Sequence, residues 1–121
     1  MTILIVDDSK AMRTIVRRTL RQTGLEDIEV IEASNGCEAW NLVQSATPDL
    51  VLCDWNMPEM SGLELLEKLN GCGMAVKLGF VTSESTPAMR AKALEAGAQF
   101  LITKPFTPES LLRQLEPVLA I

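Results

Sequence analysis

A doubly wound α/β fold, with five parallel strands in one sheet and helices on both its faces, is predicted by three features of the sequence. Short apolar runs rich in leucine and β-branched residues alternate with segments of helical period, the order expected of βαβ units. Three of the five runs are apolar throughout instead of alternating with polar residues, as expected of strands covered on both faces. Thr86-Pro87 and Thr107-Pro108 each place a hydroxyl at a helix N-cap with proline at the first helical position. Right-handed crossovers then complete the arrangement.

The first strand is expected at Ile3-Leu4-Ile5-Val6, a run too short to span a membrane and lacking the basic segment of a signal peptide. Met12, Ile15, Val16 and Leu20 share a face of the first helix, which Gly24 follows. Ile28 to Ile31 forms the second strand, and Ala39, Trp40 and Val43 mark the second helix, with Trp40 read as core. Leu50 to Cys53 is the third strand, followed by a helix with Leu63, Leu66 and Leu69 on one side. The fourth strand, Val76 to Val81, contains Gly79, which either weakens it or makes room for a bulky neighbour. A fourth helix starts at Pro87, Phe100 to Ile102 is the fifth strand, and the last helix runs from Pro108 to about Leu119. No linker, repeat or low-complexity tract intervenes, so residues 1–121 are read as one domain.

Composition narrows the chemistry. The chain has 121 residues, a formal charge of -5, 47% apolar residues and no histidine. Its length allows a core that buries about two-thirds of the unfolded surface. Without histidine there is no imidazole-activated nucleophile, imidazole metal site or phosphohistidine on this chain. Cys37, Cys53 and Cys72 are odd in number and widely spaced, which argues against a disulfide framework or structural zinc; Cys53 is read as a small core residue. A cytoplasmic location and no membrane insertion are expected. Five of the eleven basic residues lie between Lys10 and Arg21, and none falls between Gln22 and Glu67, so a broad nucleic-acid surface is not expected.

Ligands of such sheets bind beyond the carboxyl ends of the strands, so the residues ending each run are the candidates. The first run ends in Asp7-Asp8, the third in Asp54 and the fourth in Thr82, and the fifth passes through Thr103 to Lys104-Pro105. Taken singly, each is a solvated loop residue or a cap. Together, at matching strand ends, they describe one site. Three carboxylates against one lysine repel at close range unless a cation binds, and an all-oxygen donor set on an open rim suits Mg²⁺. Lysine and threonine can hold the peripheral oxygens of a phosphoryl group, for which Asp54 can act as nucleophile.

The stretches Ile3-Leu4-Ile5-Val6-Asp7-Asp8-Ser9, Cys53-Asp54-Trp55-Asn56-Met57-Pro58-Glu59-Met60-Ser61-Gly62, Val81-Thr82-Ser83-Glu84 and Gly97-Ala98 through Lys104-Pro105-Phe106 resemble response-regulator receiver domains, especially single-domain chemotaxis members. The resemblance covers essentially the whole chain. It implies a flavodoxin-like sheet of strand order 2-1-3-4-5 and a signalling switch that is its own substrate, not a turnover enzyme. Asp54 would be the phosphoacceptor, Asp8 a direct Mg²⁺ ligand, Asp7 a partner through water and the Asn56 backbone carbonyl a further ligand. Thr82 and Lys104 would grip phosphoryl oxygens, with Lys104-Pro105 cis. Asn56 and Glu84 would flank the path of the hydrolytic water, and Trp55 would sit at the rim of the site.

The partners so implied are a sensor histidine kinase, a downstream protein target such as the flagellar motor switch, and a phosphatase. The helical stripe Lys10, Arg13, Arg17, Arg21, with Arg18 beside it, is either a solvated face or a dock for an acidic partner surface. The sequence departs from the pattern at Leu101, where an aromatic coupled to the threonine is usual; the adjacent Phe100 points to the opposite face. Two further readings stay open: a receiver cut from a longer regulator or serving as a relay or phosphate sink, and an Mg²⁺-dependent aspartyl phosphatase. The phosphatases carry a second acid two residues after the nucleophile, where this chain has Asn56.

Overall fold

The computed structural model describes residues 1–120. Strands and helices alternate in the order β1 (Thr2–Val6), α1 (Lys10–Gln22), β2 (Glu29–Ala33), α2 (Gly36–Ala46), β3 (Leu50–Cys53), α3 (Gly62–Gly71), β4 (Leu78–Thr82), α4 (Pro87–Glu95), β5 (Phe100–Thr103) and α5 (Pro108–Leu119). The sheet order is β2-β1-β3-β4-β5, and every adjacent pair is parallel. This is the doubly wound, flavodoxin-like fold that the sequence predicts. No helix among the described residues is long and apolar enough to cross a membrane.

Two apolar layers flank the sheet because side chains of successive strand residues point to opposite faces. Leu4 and Val6 of β1 join Val51, Cys53, Phe80 and Leu101 in one layer, under Val43 of α2 and Leu65, Leu66 and Leu69 of α3. Ile3 and Ile5 join Leu50, Leu52, Val81, Phe100 and Ile102 in the other, under Val16 and Leu20 of α1 and Leu111 and Leu115 of α5. Four helix starts carry hydroxyl caps, from Ser9, Ser61, Thr86 and Thr107, and Asn35 caps α2. These caps accept backbone N–H groups that have no partner inside the helix.

Several expectations need correction. Ile15 does not join Val16 and Leu20 in the core; it is 45% exposed. Trp40 is only partly buried, packing against the core edge beneath the Lys68 ammonium, 4.7 Å from the ring centre. Leu65, not Leu63, joins Leu66 and Leu69 as a fully packed residue of α3. β2 begins one residue later than expected and runs on through Glu32 and Ala33, which pair with Ile5 and Val6. The carboxylate that ends the apolar run of β2 is tolerated in the strand because Arg13 and Arg17 of α1 hold it. β4 begins at Leu78, after Val76 has turned back to the Met74 carbonyl.

Gly79 makes room for a neighbour. It lies opposite Phe100 in the β4–β5 register, and a Cβ there would stand 2.3 Å from the tip of that ring. Phe100 and Leu101 occupy opposite layers, as alternation requires.

Candidate functional site: an acidic cluster at the carboxyl edge

β1, β3, β4 and β5 end side by side, and their next residues converge. Backbone hydrogen bonds extend the ladder one step past the strands: the Asp54 N–H donates to the Val6 carbonyl (2.9 Å) and the Lys104 N–H to the Thr82 carbonyl (2.7 Å). Sheet register therefore aligns the Asp7-Asp8 pair with Asp54, and Thr82 with Lys104. One carboxylate oxygen from each of Asp7, Asp8 and Asp54 lies within 4.8 Å of the others, a grouping able to hold a metal ion. Asp7 is buried, Asp54 half-buried and Asp8 exposed. The cluster is thus anchored on its inner side and open on its outer side.

The Lys104 ammonium enters from β5, 3.2 Å from Asp7 Oδ2 and 3.7 Å from Asp54 Oδ1. The peptide bond between Lys104 and Pro105 is cis. Asp7 is held at its other oxygen by the Ser9 N–H (2.9 Å). Burial pushes the Asp54 carboxyl above the usual carboxylate range; the Lys104 ammonium opposes this, the Asp7 charge adds to it, and the Asn56 and Trp55 N–H groups oppose it. The net effect is upward. An anionic Asp54 is therefore under strain that an added cation would relieve.

Thr82 is fully buried as a residue, and its hydroxyl accepts the Glu84 N–H at 3.4 Å. Glu84 and Asn56 are both exposed, on the loops after β4 and β3. Trp55 leans on Phe80 with ring centres 4.9 Å apart, at the border of core and rim. Cys53 is completely buried and its thiol donates to the Asp54 carbonyl at 3.2 Å. Burial pushes that thiol far up, so Cys53 is a core residue and no nucleophile.

The roles of two contributors to the site escape a reading by motif. Gly62 opens α3 pressed against the loop that carries Asp54. Its N–H donates to the Trp55 carbonyl (2.9 Å), and a Cβ there would stand 2.3 Å from the Asp54 carbonyl oxygen and 2.8 Å from the Phe80 ring. The capping box Ser61–Glu64 marks that start in the sequence, but not the close approach. Arg13 is the other. The basic stripe of α1 is not simply a solvated face, since Arg13 and Arg17 are bound to Glu32 while Lys10, Arg18 and Arg21 remain exposed.

Three carboxylates, a lysine and a threonine thus meet at the carboxyl edge of a doubly wound parallel sheet. The family model for the response regulator receiver domain matches residues 3–116, and the chain belongs to that family. It is 43% identical to chemotaxis protein CheY1 of Helicobacter pylori, over 98% of this chain and 97% of that one. It is equally similar to a chemotaxis protein CheY homolog of Campylobacter jejuni, over 98% and 92%. The structure of chemotaxis protein CheY4 of Vibrio cholerae superposes with a TM-score of 0.85 at 34% identity, covering 97% of both chains.

Proposed function

We propose that this receiver is a phospho-accepting switch in which Asp54 takes a phosphoryl group from the phosphohistidine of a sensor histidine kinase. The observation that carries the reading is the cluster itself: three carboxylates with oxygens within 4.8 Å and a lysine ammonium 3.7 Å from one of them. That lysine directly follows β5, and the buried Thr82 ends the adjacent β4. In the transfer, an Asp54 oxygen attacks phosphorus in line, the nitrogen–phosphorus bond of the donor breaks, and the imidazole leaves with the bonding pair. Lys104 and Thr82 hold the peripheral oxygens as charge gathers on them.

The donor set fits Mg²⁺. It is all oxygen, small in number and open to water at Asp8, the pattern of a hydrated magnesium site. Asp8 would ligate directly, Asp7 through water, and Asp54 and the Asn56 carbonyl would complete the protein's share. Bound there, the ion would supply positive charge to the carboxylates and to the transferred group. The acyl phosphate is then lost to water, with Asn56 and Glu84 on the path by which water approaches. Asn56 has no acidic proton to deliver, which disfavours a turnover phosphatase.

Similarity to named chemotaxis proteins favours a chemotaxis role. The downstream target would then be a protein such as the flagellar motor switch. A phosphatase would be a further partner, and the domain would act in the cytoplasm without itself contacting nucleic acid. Incubation with acetyl phosphate tests the reading. One acid-labile phosphoryl group should be gained with Mg²⁺ and none with EDTA; metal-independent labelling would overturn it.

A further inference from the structure

The exposed Asp8 carboxylate is placed by its backbone, and that backbone is held from outside the strand. The peptide joining Asp7 to Asp8 turns its carbonyl oxygen to Arg13 of α1, whose Nη1 donates to it at 2.7 Å. The same guanidinium donates through Nε to Glu32 Oε1 at 2.9 Å. Its side chain is only 14% exposed. Glu32 in turn takes Arg17, whose Nε and Nη2 both donate to Oε2, at 3.0 and 2.5 Å, and whose Nη2 also reaches the Val30 carbonyl at 3.4 Å, away from the acidic loop. Of the two arginines bound to Glu32, Arg13 reaches the Asp7 carbonyl, whereas Arg17 turns to Val30.

From this geometry, and resting on the reading of the cluster as a Mg²⁺ site, we infer that Arg13 is a positioning residue for metal binding: Glu32 orients its guanidinium, which fixes the Asp7–Asp8 peptide and so aims Asp8 at the ion. A guanidinium presents its donors in a rigid planar fork, so a carboxylate held at one edge sets the direction of the other. The fork joins β2 to the first residues past β1, elements that neighbour each other in the sheet. Interactions that orient metal ligands commonly change affinity by about 10–100-fold when lost.

Calorimetric Mg²⁺ titration of the full chain distinguishes this role from loss of charge or of fold. The variants are Arg13→Met and Arg17→Met, which remove equal charge from one face of α1 and each take one of the two arginines off Glu32, but only the first frees the Asp7 carbonyl. Urea unfolding in EDTA is measured alongside. Arg13→Met should weaken Mg²⁺ binding about tenfold or more, whereas Arg17→Met should stay within about twofold of the parent, in both cases after correction to the folded fraction. Glu32→Gln should fall between them, since an amide still accepts from Arg13 but holds it less firmly. Equal weakening by Arg13→Met and Arg17→Met, or unchanged affinity in Arg13→Met, would overturn the role of Arg13. A parent chain that binds no Mg²⁺ would instead overturn the metal reading on which it rests.

Discussion

Two carboxylates make opposite demands on the fold. Burial pushes Glu32 up, but Arg17 and Arg13 outweigh it, and its pKa falls below the usual value. Glu32 therefore contributes stability above its ordinary pKa, and that contribution is lost as pH falls through the lowered one. Asp54 is shifted the other way. At neutral pH it costs stability, and the cost is relieved as pH falls through its raised pKa toward the ordinary range. Asp54→Asn should accordingly stabilise the metal-free protein at pH 7 by about 0.5–2 kcal/mol, the usual gain from removing a local conflict. The gain should shrink toward pH 4, as urea unfolding at the two pH values would show. Asp8 is exposed, where solvent screens its charge. Its substitution by alanine should leave unfolding nearly unchanged, yet weaken Mg²⁺ binding, read by Trp55 fluorescence, more than Asp7→Ala does. A direct ligand loses more than a water-mediated one; equal affinities for Asp8→Ala and the parent would remove Asp8 from the metal's ligands.

Strands and helices differ in how plainly they are written in the sequence. β1, β3 and the starts of α4 and α5 can be read directly, from uninterrupted apolar runs and Thr-Pro caps. The end of β2 cannot, because its last residues include a carboxylate whose partners lie on α1, 15 and 19 residues away. The same distance hides the role of Arg13, and periodicity alone could not separate buried Val16 from exposed Ile15 at the margin of the α1 stripe. The β4–β5 pair shows the reverse case, a local oddity with a non-local reason. Gly79 is fitted to Phe100, so a larger residue must displace a buried ring or the strand itself. Gly79→Val should destabilise the protein by about 1–3 kcal/mol despite the better strand propensity of valine. Gly79→Val combined with Phe100→Leu should recover part of that loss in thermal unfolding. If the single substitution were neutral, the close approach of the ring would have no energetic weight.

At the scale of the whole molecule, a parallel sheet gathers residues far apart in sequence at one edge. Asp7 and Lys104 are 97 residues apart and form an ion pair. The candidates Asp7, Asp8, Asp54, Thr82 and Lys104 could be picked out because every strand ends on the same side, so their places in the chain already implied their convergence. Close packing at Gly62 and the Arg13 bridge could not be picked out that way, since both depend on distances between loops and helices. The Leu101 departure belongs to this scale as well. Leu101 lies in the layer beneath α2 and α3, while its carbonyl accepts Arg90 of α4 at 3.3 Å and the Arg90 guanidinium also reaches the Ser85 hydroxyl at 3.1 Å. β5 is thereby tied to α4 and to the loop following Thr82.

Everything proposed for the site turns on Asp54 as the residue that accepts the phosphoryl group. Intact-mass measurement of the parent and Asp54→Asn, each treated with acetyl phosphate and Mg²⁺ under identical conditions, addresses this directly. The parent should gain the mass of one phosphoryl group, lost again on standing, and Asp54→Asn should gain none. An equal gain in Asp54→Asn would contradict the assignment and place the acceptor elsewhere on the chain.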